Sequence, residues 1–203
     1  MAFGAVFSAL EVVPLTLVAY PALDDLRRGQ MVPWAAQYKW PVYFFVAVAF
    51  WNMVGAGLFG FMINPPIALY FMQGLNTTPL HGHAALFGVY GMLGIGLMLV
   101  CLRAMAHGQW KEGWLKLAFW SMNSGLFLMC VGSLLPVGLA QTWASVDKGY
   151  WYARSSEFLQ TPLMQTLRWM RAPGDTLFAL GAVVLVMFVF FGRNSRAEGG
   201  KNS

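Results

Sequence analysis

Five apolar runs dominate this chain, at about residues 1–23, 41–63, 81–102, 117–139 and 176–192. Crossing the hydrocarbon core of a bilayer takes roughly 20 such residues as a helix, so each run is a candidate span. Apart from Glu11, His81 and His83, none of the five contains an Asp, Glu, Lys, Arg or His. Charged residues make up 10% of the chain and hydrophobic ones 58%, whereas soluble domains carry about a quarter charged residues. The bilayer is the solvent for such a sequence. The expected fold is an all-α integral membrane bundle of about five transmembrane helices, forming one domain over residues 1–192 with a polar tail at 193–203. The last run is short and is expected to stand upright or to begin in the interface.

A net charge of +5 raises the question of nucleic acid. The basic residues form no aromatic-interleaved patch, however, and stand at the ends of the apolar runs, where they act as topology signals. Nine of them (Arg27, Arg28, Lys39, Arg103, Lys111, Lys116, Arg193, Arg196 and Lys201) fall on one side, against Lys148, Arg154, Arg168 and Arg171 on the other. Lys and Arg favour the cytoplasmic side, so the tail is expected there and the 2/3 and 4/5 connections outside. The same count puts the N-terminus outside, although the chain opens at Met1 directly in apolar sequence with no positive region and no signal-peptide cleavage pattern. The expectation is that the first helix inserts by unusual means or that further helices lie upstream of this chain. Cys101 and Cys130 sit singly in separate runs and match no metal or redox spacing.

The 2/3 connection runs from Asn64-Pro65-Pro66 to Asn76-Thr77-Thr78-Pro79 and is rich in helix breakers. It is expected at the outer interface. The 4/5 connection, about residues 140–175, carries Trp143, Tyr150, Trp151, Tyr152 and Trp169; short interfacial helices capping the outer face are expected there. Glycines recur in runs 2 and 3, at Gly55, Gly57 and Gly60, then at Gly88, Gly91, Gly94 and Gly96. Small residues let membrane helices approach closely, and the same absence of side chains leaves room for a bulky planar cofactor.

His81-Gly82-His83 opens run 3 directly after Pro79-Leu80. Successive helical residues turn by about 100°, so positions two apart point about 200° apart, to opposite faces. One metal ion cannot take both side chains; an i, i+2 pair serves two sites, one on each side of the helix. Ionisable side chains inside membrane segments are expensive and mark function, and imidazole is a frequent axial ligand of haem iron. Two interfacial histidines without a metal satisfy the same pattern.

The segment NTTPLHGHAALFGVYGMLGIGLM, residues 76–98, resembles the His-x-His helix of the haem-copper oxidases and nitric oxide reductases. The flanks NMVGAGLFGFMINPPIALYFMQGLN, FSALEVVPL, QTWASVDKGYWYARSSEF and LRWMRAPGD resemble the single-subunit, quinol-oxidising nitric oxide reductases in particular, and the likeness covers nearly the whole chain up to the tail. It implies that His81 is the proximal ligand of a high-spin haem b, and that His83 is one of two axial ligands of a low-spin haem b. It also implies a bacterial inner-membrane enzyme that reduces two nitric oxide molecules to nitrous oxide and water with electrons from quinol.

Glu11, in FSALEVVPL, is the one carboxylate within an apolar run. Low dielectric favours its protonated form, and the resemblance implies proton delivery to the catalytic centre; a carboxylate facing water near the terminus is the alternative. Asp175 opens run 5. The resemblance implies a place in the quinol pocket, and an N-cap at the helix start is compatible with it. Arg168 and Arg171 stand on the outer side, where the resemblance places haem propionates, which Arg forks pair with well; interfacial anchoring explains them equally. His107 is read as a loop residue. The family draws its non-haem iron ligands and the second low-spin haem ligand from earlier helices, so the resemblance makes this chain a C-terminal portion whose N-terminal half lies elsewhere. The alternatives are a non-catalytic remnant of a split gene and a related haem-copper oxygen reductase.

Overall fold

The computed structural model describes residues 37–105 and 109–192, together with Val6, Leu10 and Val13. Four helices long and apolar enough to cross a membrane are present in this part: α1 (Lys39–Ile63), α3 (Thr77–Met105), α4 (Glu112–Lys148) and the run Pro162–Phe191. That last run consists of α6 (Pro162–Trp169) and α7 (Arg171–Phe191). Between them lie α2 (Pro66–Met72), a 3-10 turn at Tyr152–Arg154 and α5 (Ser156–Leu159). The chain is a multi-pass membrane protein, helical with no β-strand among the described residues. The expected first span, 1–23, lies outside the described residues apart from the three isolated positions.

Proline marks where helices start. Pro41, Pro79 and Pro173 each stand third in their helix, where a missing N–H removes no intrahelical bond. Pro65 is extended at φ −53°, ψ 139°, as the residue before a proline tends to be, and this breaks α1 from α2. Gly149 ends α4 with φ 94°, a conformation that L side chains rarely adopt. Ser155 caps α5 by accepting the Phe158 N–H at 3.2 Å.

Each of α1, α3 and α4 contains a π-helical stretch, at Asn52–Phe59, Ala84–Gly91 and Leu128–Leu134. In α4 the wide turn ends just before Pro136, whose ring would clash with the carbonyl four residues back in plain α geometry. No local pattern in α1 or α3 accounts for theirs.

Glycine sets the helix spacing. A Cβ on Gly125 of α4 would fall 2.5 Å from the Phe178 backbone nitrogen of α7, and one on Gly174 of α7 would fall 2.7 Å from the Met129 nitrogen. The two backbones are therefore in direct contact. On the other side of α3, Gly88 and Gly96 receive Trp51 and Phe45 of α1. Phe44, Trp51, Met122, Leu126 and Phe188 are buried between the spans, while Leu58, Leu86, Leu97, Val183 and Val186 face outward, as lipid contact permits.

Two expectations are corrected. The last span does not begin at 176: α7 starts at Arg171 and has 21 residues, about 31 Å at 1.5 Å per residue, which is enough to cross. Nor is Asp175 an N-cap. It lies in the second turn of α7, paired with Arg171 one turn back, and this i, i+4 pair lets two charged residues continue the helix. The short helices expected in the 4/5 connection are present, although α4 itself continues to Lys148.

The ends of the spans sort the charges. Lys39 Nζ pairs with Glu112 at 3.4 Å and the Lys111 N–H donates to the Gly192 carbonyl at one end. At the other end, Asn76 donates twice to Gln141 Oε1 and the Tyr150 hydroxyl donates to the Gln73 carbonyl.

Candidate functional site

His81 and His83 fall in the second turn of α3, just below the polar Asn76–Gln141 end. His81 turns toward α1: its Nδ1 lies 2.8 Å from the Gly55 carbonyl oxygen. A carbonyl only accepts, so Nδ1 carries the proton and Nε2 presents its lone pair. Gly60 lies beneath the ring, where a Cβ would come within 3.1 Å of Cε1. The ring is thus held by a backbone carbonyl on one side and rests on a residue without a side chain on the other.

His83 turns the opposite way, toward α7. Its Nδ1 lies 2.8 Å from the Pro79 carbonyl, which fixes the same tautomer, and its Nε2 lies 2.9 Å from Arg171 Nη2, a donor. The His83 ring meets Phe87 at 5.5 Å with the planes inclined by 58°, and Phe87 meets Phe178 of α7 at 5.4 Å. The two imidazoles therefore engage different neighbouring helices, as the i, i+2 spacing requires. Among the described residues no three His, Cys, Asp or Glu side chains converge to hold one ion, so each histidine stands as a single donor.

Arg171 joins His83 to Asp175. Its Nε lies 3.0 Å from both carboxylate oxygens while Nη2 reaches the imidazole. Above them a cavity of about 430 Å³ is lined by Arg168, Arg171, Asn76, Ser133, Gln165 and Trp169. The two guanidinium groups suit this cavity to a carboxylate or another anion, while the Asn76 and Gln165 amides each already donate to a protein acceptor. Ser133 does not point its proton into it, since that hydroxyl donates to the Leu167 carbonyl at 2.8 Å.

The structure thus gathers His83, Arg171, Asp175 and Arg168 at one place and puts His81 on the far face of the same helix. Glu11 and His107 lie outside the described residues. Sequence reasoning missed the Gly55 carbonyl as the partner of His81, and it missed Asn76, Ser133 and Gln165 as walls of the anion cavity. Every residue offers a carbonyl, and Gly55 owes its lack of a side chain to Ala84 rather than to the histidine, so nothing in the sequence marked the first. Nothing local signalled the others, which come from the turn before α3, from α4 and from α6.

Residues 1–177 match the family described as Cytochrome C and Quinol oxidase polypeptide I. A nitric oxide reductase subunit from Stutzerimonas stutzeri is 27% identical over 190 residues, covering 89% of this chain and 38% of that protein. The chain therefore spans well under half the length of this relative. With the match extending over most of its length, the chain belongs to the Cytochrome C and Quinol oxidase polypeptide I family.

Proposed function

We propose that this chain is the C-terminal portion of a quinol-oxidising nitric oxide reductase of the bacterial inner membrane, with its tail in the cytoplasm. The observation that carries this reading is the pair of oppositely directed imidazoles. Each has its Nδ1 proton committed to a backbone carbonyl, and this is how metal-ligating histidines are usually held. The donor set fits two b-type haems, with Nε2 of His81 toward the high-spin one and Nε2 of His83 toward the low-spin one. With those groups bound, and with non-haem iron held by residues outside this chain, the assembly would relay electrons and reduce two nitric oxide molecules to nitrous oxide and water, consuming two electrons and two protons.

The remaining assignments concern this chain's own side chains. Arg168 and Arg171 line a cavity suited to carboxylates and would hold the propionates of the low-spin haem. Arg171 also lies within hydrogen-bond distance of Nε2 of His83, so the residues proposed for the iron and for the propionates stand side by side. Asp175, with its side chain 45% exposed, would accept a hydrogen bond from the quinol head group. Glu11 would hold a proton for delivery to the centre.

The test is to express the chain in membranes together with an N-terminal half and to record haem spectra and nitric oxide consumption. His83→Ala is expected to remove the low-spin haem signal and His81→Ala the high-spin one. Retention of both signals would refute the assignment. Oxygen consumption without nitric oxide consumption would identify an oxygen reductase instead.

A further inference from the structure

The wide turn of α1 stands where that helix meets His81. Trp51 and Gly55, four residues apart as on one face of any α-helix, both look toward α3: Trp51 lies against Gly88, and a Cβ on Gly55 would fall 2.4 Å from that of Ala84. Gly60 meets α3 again, beneath the His81 ring. Residues five apart point about 140° apart in a plain α-helix, so Gly55 and Gly60 would not then share a face. Leu58 would instead stand within about 60° of Gly55, toward α3. It is 61% exposed, whereas Gly55 and Gly60 are buried. The π-helical stretch Asn52–Phe59 makes the difference, because a turn closed from i to i+5 brings residues five apart close to one face.

Both glycines act on the same imidazole. The Gly55 carbonyl takes the Nδ1 proton at 2.8 Å. A Cβ at position 60 would come 3.1 Å from Cε1, 3.4 Å from Nδ1 and 3.9 Å from Nε2, so any side chain there presses on the edge of the ring that carries its two nitrogens. The carbonyl decides which nitrogen holds the proton, and the bare backbone at Gly60 decides where the ring can lie. In α3 the histidines stand on plain α turns that end at His83, and the wide stretch of that helix begins only at Ala84. Helix pitch therefore fixes the direction in which His81 leaves α3, and the fit of its ring is adjusted from α1. Wide turns of this kind are rare and recur at functional sites.

We propose that the wide turn of α1 is a positioning device for His81, with Gly60 as the residue that sets the orientation of the ring. The seat of the ring stands by itself; its importance for iron rests on the reading of His81 as an axial ligand. A carbonyl bound at Nδ1 makes Nε2 the stronger donor, so a ring pushed off the Gly55 carbonyl is the poorer ligand.

The experiment uses the full chain in detergent with isotope-labelled histidine, its ring nitrogen resonances assigned through His81→Ala and His83→Ala. The unaltered chain is expected to show His81 with its proton on Nδ1. Gly60→Ala is expected to shift the His81 ring signals and to leave those of His83, on the opposite face, in place. Deletion of Gly57 returns the turn to plain α geometry and rotates Gly60 by about 100° relative to Gly55; it is expected to give His81 the mixed tautomers of an imidazole without a fixed partner. Gly94→Ala, with nothing within 4 Å of its Cβ, is expected to change neither histidine. In membranes with an N-terminal half, Gly60→Ala is further expected to shift the iron–histidine stretching band of the high-spin haem and to leave the low-spin absorption unchanged. Unshifted His81 signals in Gly60→Ala would overturn the proposal, as would an unchanged tautomer in a deletion variant that keeps its helical circular dichroism; where the deletion does not fold, Gly60→Ala decides alone. His81 signals that respond as expected beside a high-spin band that does not would overturn the ligand reading and leave the seat of the ring in place.

Discussion

An imidazole can offer a lone pair from one nitrogen only while the other keeps its proton, and in α3 the backbone makes that choice for both histidines. The Gly55 carbonyl takes the His81 Nδ1 proton and the Pro79 carbonyl takes that of His83. The consequence for Arg171 can be measured. Arg171→Ala leaves Nε2 of His83 without a donor and Asp175 without its partner. Both side chains of the ion pair are more than a third exposed, so solvent screening limits the loss to about 1 kcal/mol, read as a small drop in the thermal midpoint of the chain in detergent. Low-spin haem binding is expected to weaken in this variant, because a propionate loses one of its two guanidinium partners; an unchanged low-spin haem content would show that Arg171 does not hold it. Arg171→Lys is not expected to restore the contact, since a single ammonium cannot span an imidazole and a carboxylate as the guanidinium does. The division of His81 and His83 between opposite faces was legible in the sequence because it follows from helix pitch alone. The position of Asp175 in its helix was not legible: a carboxylate beside Pro-Gly looks like a helix start, whereas α7 has already begun at Arg171.

At the scale of the helices, α4 and α7 are joined through glycines, and their spacing is set by backbone contact. Gly125→Val would drive a branched side chain into the Phe178 backbone, whose nitrogen lies 2.5 Å from even a bare Cβ. Overpacking of this kind costs about 1–3 kcal/mol or more. The expected outcome is a lowered unfolding midpoint in detergent, whereas Gly94→Val, at a position with nothing within 4 Å of a Cβ, should leave it unchanged. Equal effects would show that α4 and α7 are not in backbone contact. The existence of the spans was readable from apolar length, and their ends were not. Helix α3 extends back to Thr77 and α4 forward to Lys148, because threonine, glutamine and lysine continue a helix wherever its end is wet. The packing glycines of runs 2 and 3 were visible as a composition bias, yet Gly125, Gly174 and Gly181, which weld α4 to α7, drew no notice because they are spread over two distant segments.

For the molecule as a whole, the described residues place four basic side chains at each end of the bundle, Lys39, Arg103, Lys111 and Lys116 at one and Lys148, Arg154, Arg168 and Arg171 at the other, so the expected sidedness rests on the residues beyond them. Sidedness can be checked with single cysteines and a membrane-impermeant maleimide in intact cells stripped of their outer membrane. Asp147→Cys is expected to react directly and Lys111→Cys only after permeabilisation; the reverse pattern would invert the topology. The wide turns in α1, α3 and α4 bear on how this chain is compared with its relatives. Each i→i+5 turn holds one residue more than an α-helical turn, so the residues beyond it are rotated by about 100° relative to an unbroken helix. A relative lacking the turn but keeping the same lipid-facing and inward-facing positions must then be one residue shorter at mid-membrane. Single-residue gaps inside the spans, where gaps are ordinarily penalised most heavily, are in such a case the correct alignment.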